Sequence, residues 1–202
     1  MSMEAHSVDA GPEGQAPKAA QRREHLLNAA ACCIGRLGYQ KSTMEEIALE
    51  AGVSRVTVYR EFGNRKSLVE ALSARRLAVF NATFMAGEPR YESLAAALEA
   101  YLVASTRAAR ENPITRQIVR GSLAFTRTGS PMHTIMRTMW EPLIYTSLSR
   151  DSSTSPIDID GTVEWIMVMQ HTLSRLVVET NLAENRVTNI VRNFIAPAFI
   201  AR

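Results

Sequence analysis

The chain has 202 residues, 46% of them hydrophobic, with 23 basic and 20 acidic side chains and a formal net charge of +3. That is enough length and apolar content for a buried core, and no uncharged apolar run approaches the roughly 18 residues of a membrane-spanning helix. No basic flank and apolar block opens the chain, so no export signal is predicted, and a cytoplasmic protein with no membrane association is expected.

Residues 1–17 are rich in Gly, Pro, Ala and acids without a hydrophobic period, which predicts a disordered tail. From Lys18 to Leu37, Leu26, Leu27, Ala30, Ala31, Ile34 and Leu37 recur at helical spacing, and Gly38 follows as a C′ residue. Cys32 and Cys33 lie within this helix. As neighbours in sequence they cannot easily bridge each other, and no second pair stands at zinc-ligand spacing, so neither a disulfide nor a metal site is predicted.

The next stretch, TMEEIALEAGVSRVTVYREFGNRK from Thr43 to Lys66, predicts two short helices around a tight turn. Thr43 is a helix N-cap, and Glu46 three residues later is placed to reach back as in a capping box. Gly52 supplies the positive φ of a sharp turn, Ser54 caps a second helix carrying Val58, Tyr59 and Phe62, and Gly63 with Asn64 closes it. Helix, short Gly-containing turn and helix is the pattern of a DNA-reading helix-turn-helix. Early in the second helix, Arg55, Val56 and Thr57 offer a bidentate donor, an apolar contact for a thymine methyl and a hydroxyl, with Tyr59 and Arg60 one turn on. Arg65 and Lys66 open the following helix, where the dipole disfavours cations unless an anion such as a phosphate lies opposite. Glu61 is out of place on an anion-facing surface and must either point aside or accept from a cytosine amine. Basic charge is concentrated here, with eleven Lys and Arg against six acids in residues 18–76 and twelve against eleven in residues 77–202.

Leu68, Val69, Leu72, Leu77, Phe80 and Phe84 then predict a long helix to about Ala86, stopped by Gly87 and Pro89. Leu94, Leu98, Tyr101, Leu102 and Ser105 share the face of another, which ends at Asn112-Pro113. A shorter helix from about Ile114 to Phe125 follows, and Pro131 suits the first turn of the next, which Pro142 should bend. Asp151 to Asp160 is a polar connection. From about Asp160 to Leu182 the sequence is apolar on several faces, and a last helix carries Val187, Ile190, Val191, Phe194, Ile195 and Phe199.

The run Thr43, Glu46-Ile47-Ala48, Ala51-Gly52-Val53-Ser54, Val58-Tyr59-Arg60, Phe62 and Lys66-Ser67-Leu68 resembles the N-terminal DNA-binding domain of the TetR family of transcriptional regulators. With its flanking helices it covers about a quarter of the chain. The resemblance implies an all-α protein, an N-terminal three-helix bundle with a helix-turn-helix joined by a long helix to a helical C-terminal domain for ligand binding and dimerisation. The divisions expected are a tail over 1–17, a DNA-binding domain over 18–66 and a second domain over 67–202. It also implies base contacts by Arg55, Val56, Thr57 and Arg60 and phosphate contacts by Thr43, Ser54, Tyr59 and Lys66. The partners would be a palindromic double-stranded operator, a largely apolar small-molecule effector and a second copy of the chain paired through the last two helices.

No catalytic constellation stands out: the four histidines are scattered, and no nucleophile elbow, H-E-x-x-H or phosphate-binding glycine loop is present. No enzyme activity and no cofactor are predicted. For an effector pocket the composition offers Tyr101, Phe125, Met136, Met139, Trp140, Trp165, Met169 and His171, though such a stripe also suits a plain core. A ligand-responsive repressor is the expectation; a helical small-molecule-binding protein and a ligand-independent DNA binder are the alternatives.

Overall fold

The computed structural model describes residues 12–87, 91–121, 128–148 and 158–199. The described residues form helices and connecting turns with no strand. The helices are α1 (Pro12–Leu37), α2 (Met44–Glu50), α3 (Arg55–Phe62), α4 (Arg65–Gly87), α5 (Leu94–Glu111), α6 (Pro113–Gly121), α7 (Pro131–Leu148), α8 (Ile159–Thr180) and α9 (Glu184–Ile190). The chain after α9 stays helical, widening to a π turn over Val191–Ile195 and tightening to a 3-10 turn over Ala196–Phe199.

Helix α1 starts at Pro12, earlier than the sequence period suggests. Proline is favoured at a first helical position, where its missing N–H would have had no partner, and the Glu, Gln and Ala that follow are good helix formers without an apolar stripe. The part of the expected tail before Pro12 lies outside the described residues. Helix α7 is unbroken from Pro131 to Leu148 with Pro142 inside it. Asn112 does more than end α5: its Oδ1 accepts from the backbone N–H groups of Ile114 and Thr115, so it also caps α6.

Two hydrophobic cores form. The first gathers Leu26, Ala30, Cys33 and Ile34 of α1, Ile47 and Ala48 of α2, Val58 and Phe62 of α3, and Leu68, Val69 and Leu72 of α4. The second is built on Tyr101, Trp140 and Met136, each fully buried, with Leu98, Leu102, Ile144, Val163 and Ile166 around them. Its aromatic rings meet edge to face, Tyr101 to Trp140 at 5.2 Å and Tyr101 to Phe84 at 5.3 Å between centroids. The Tyr101 hydroxyl donates to Asn81 Oδ1 at 2.9 Å, which satisfies a polar group deep in that core.

The division between the cores falls inside α4, between Leu72 and Leu77, rather than at its start. Helix α6 crosses the same division, because its Ile118 is buried in the first core.

Candidate nucleic-acid interface and neighbouring cavity

The helix-turn-helix is fixed by its caps. Thr43 Oγ1 accepts from Glu46 N at 3.2 Å and Ser54 Oγ from Thr57 N at 3.2 Å. The reciprocal half of the capping box does not form, since Thr43 N donates to the Lys41 carbonyl at 3.1 Å. Gly52 has φ of 64° in the connecting turn and Gly63 has φ of 74° at the end of α3. Asn64 belongs to the next helix, where its Oδ1 accepts from Ser67 N at 2.9 Å.

With Val58 and Phe62 buried, α3 turns its other face outward: Arg55, Val56, Tyr59 and Arg60 are exposed, and Val56 is 73% accessible. An apolar side chain that far out of the core has no packing role within this chain, and Leu49 at the end of α2 is similarly exposed at 78%. Thr57 is less available, because its hydroxyl lies 2.9 Å from Ser54 Oγ within the cap. Thr43, Ser54 and Lys66 are all exposed. Arg55 pairs with Glu45 at 3.2 Å, with both side chains well exposed, so little free energy holds it there against another acceptor.

Two charged groups beside this surface, Arg65 and Glu61, have structural partners. Arg65 donates from Nε to the Ser42 carbonyl at 2.8 Å and from Nη2 to the Tyr39 carbonyl, with its guanidinium 4.3 Å from the centre of the Tyr39 ring. It latches α4 to the α1–α2 loop, and the carbonyls supply the negative charge that its helix-start position needs. Glu61 points aside to α1, pairing with Arg23 at 3.1 Å and Arg22 at 3.5 Å. Arg23 also covers the Phe62 ring at 4.7 Å.

A cavity of about 830 Å³ lies where α4, α5, α6 and α8 meet. Leu77, Phe80, Ile118, Val119, Met132 and Met167 give it an apolar lining, and Arg76, Thr115, Gln170 and His171 are its inner polar groups. Burial, then the nearby Arg175, hold the His171 pKa below its ordinary value, so the ring is neutral at neutral pH. Its Nε2 is buried without a protein partner.

Of the pocket residues suggested by composition, His171 alone among the described ones lines this cavity. Tyr101, Met136 and Trp140 are fully buried in the second core, where their bulk fills space instead of bounding it. Trp165 and Met169 pack half-buried against that core, and Met139 lines a shallow groove between α4 and α7. Phe125 lies outside the described residues. Composition favoured the largest side chains, whereas the cavity sits where smaller ones, Ser105, Ala108 and Ala109, leave room. The Arg75-Arg76 pair interrupting the apolar period between Leu72 and Leu77 was the signal for it.

The exposed face of α3 and the caps that hold it define a helix-turn-helix head on an all-α body. Residues 26–72 match the model of the bacterial regulatory proteins of the tetR family, so the resemblance read from the sequence holds over that segment. The HTH-type transcriptional regulator YvkB of Bacillus subtilis is 43% identical over 49 residues, 24% of this chain and 26% of that protein. The chain thus spans about a quarter of the length of that relative in the match. The fold extends further. A TetR-family regulator from Pectobacterium atrosepticum superposes with a TM-score of 0.68 at 16% identity, over 92% of this chain and 97% of that one. The transcriptional regulator FadR of Bacillus subtilis, solved in complex with stearoyl-CoA, superposes with a TM-score of 0.57 at 14% identity, over 84% of this chain and 97% of that one. The family and these neighbours are transcriptional regulators, not enzymes.

Proposed function

We propose that the chain is a cytoplasmic transcriptional repressor that binds a palindromic operator as a homodimer and is released by a small molecule. The observation that carries this reading is the outward face of α3, where Arg55, Val56, Tyr59 and Arg60 are exposed together on one short capped helix. In the proposed complex α3 enters the major groove, Arg55, Val56, Thr57 and Arg60 read base edges, and Thr43, Ser54, Tyr59 and Lys66 hold phosphates. Two such heads would sit about one helical turn, roughly 34 Å, or a small multiple apart.

Residues 18–66 form the DNA-reading domain in this scheme and residues 67–202 the domain for effector and partner, with α4 as the shared strut. Dimerisation through the end of the chain is supported by Val168 and Leu176, which are exposed at helical spacing on α8, and by Phe194, which is 80% accessible in the π turn. Effector binding is supported by the cavity, whose walls include Ile118 of the first core and Met167 of the second. FadR, which shares the fold, binds stearoyl-CoA. A ligand that fits the cavity better in one arrangement of α4 and α6 shifts the spacing of the two heads by that difference in affinity.

Footprinting on the DNA upstream of the chain's own gene tests the reading. Protection of a palindrome by the dimer is the expected result; equal retardation of random DNA would overturn it.

A further inference from the structure

The cavity wall holds a half-buried cation that, among the described residues, has no acid beside it. Arg76 is half-buried, and its Nε and Nη2 both donate to Thr115 Oγ1, at 3.2 Å and 2.9 Å. Among the described residues no carboxylate pairs with it. Its neighbour Arg75 is served quite differently, by Glu24 at 2.7 Å and Asn28 Oδ1 at 2.8 Å. One neutral hydroxyl is a poor match for a planar fork of five N–H donors, which is built for two-point contact with a carboxylate. Burial and the charge of Arg75 both push the Arg76 pKa below its ordinary value, consistent with a guanidinium short of negative charge.

The other charged groups of the lining do not supply it. Glu24 is taken by Arg75, and Glu111 is exposed to solvent. His171 is neutral and its unpartnered Nε2 adds a polar contact on the α8 side, beside Gln170. Around these groups the wall is Phe80, Met132 and Met167, an adaptable apolar surface. The volume of about 830 Å³ falls within the usual range of small-molecule sites.

Building on the effector reading above, we propose that this cavity takes amphipathic organic monoacids, the carboxylate on Arg76 and the apolar body against Phe80, Met132 and Met167. The acid displaces Thr115 from the guanidinium. Because Arg76 is on α4 and Thr115 on α6, occupancy exchanges a link between those helices for a link to the ligand. That gives the acid a differential affinity for the arrangement in which α4 and α6 are uncoupled.

Isothermal titration calorimetry on the full chain tests this with octanoate, dodecanoate and 4-phenylbutyrate, each against its primary amide. At least one acid should bind about tenfold or more tighter than its amide, as a charge-assisted pair in a desolvated site requires. Arg76→Gln should bring each acid to within about twofold of its amide, and Thr115→Val should tighten acid binding about threefold with amide binding unchanged. The proposal is overturned if none of the acids binds, if acids and amides bind alike, or if the preference survives in Arg76→Gln. Should Arg76→Gln fail to fold, Thr115→Val decides, and an unchanged acid affinity there sinks the exchange. Operator footprinting without ligand keeps the two readings apart: an operator that is bound while the acids are ignored removes this proposal alone, and acid binding without an operator removes only the repressor.

Discussion

The helix-turn-helix and the second core are held together in opposite ways. In the first, short polar side chains with defined partners do the fixing: Thr43 and Ser54 cap, Gly52 turns, and Arg65 latches the start of α4 to two loop carbonyls. In the second, bulk and shape dominate, with Tyr101, Trp140 and Met136 wholly buried and the Tyr101 hydroxyl within reach of Asn81 Oδ1 and Met136 Sδ. The first kind of structure depends on residue identity at each position, whereas the second tolerates any set of apolar side chains of matching volume. That difference suits a head that must present a fixed surface and a body that must shape itself around a cavity.

Mutations can break the contrast. Trp140→Ala should be the most damaging, lowering stability by about 3 to 5 kcal/mol in urea unfolding, because it empties a fully buried site. A loss under about 1 kcal/mol would mean that the second core is not close-packed. Arg55→Ala should do the reverse. It should cost about 1 to 3 kcal/mol of discrimination between operator and random DNA while moving stability by no more than about 0.5 kcal/mol, measured by competition gel shift and urea unfolding on the same preparation. Equal loss on both DNAs would demote Arg55 to a general electrostatic contact. Gly52→Ala should cost about 1 to 2 kcal/mol of stability. No neighbour lies within 4 Å of the added Cβ, so the penalty is that of the left-handed backbone alone.

The smallest effect concerns pH. The folded-state pKa of His171 is lowered from 6.5, first by burial and then by Arg175. As pH falls through 6.5 the unfolded chain takes up this proton before the folded one does. The residue's contribution is therefore complete above that value and is lost progressively as pH falls toward the folded pKa. His171→Gln should flatten the decline in melting temperature between about pH 7 and about pH 5; an unaltered slope would place the responsible group elsewhere.

The same contrast explains what the sequence disclosed. The caps, the turn and the outward residues of α3 could be assigned by residue type because each obeys a local rule. Helical periods likewise located α4, α5 and α8, since an apolar face recurs whatever it packs against. The cavity did not show, because it is a product of size differences among residues far apart in sequence, Ser105 and Ala109 on α5 facing Ser174 on α8. The role of Arg65 was hidden for a related reason, and Glu61 was left between two alternatives of which the structure has the one that points aside. A charge near a helix end reads as ligand-facing until its tertiary partners, the Tyr39 and Ser42 carbonyls or Arg22 and Arg23, are known.

Ile118 gives the molecule a thermodynamic property that neither core has alone. It belongs to the first core, yet the helix that carries it packs against α5 and α8 of the body, and α4 is likewise divided between the two. Neither core can melt without stripping a helix from the other, so heating should produce one calorimetric peak whose van't Hoff and calorimetric enthalpies agree. A molecule bound at the seam would then raise the melting point of the DNA-reading head as much as that of the body, without touching the head's outer face.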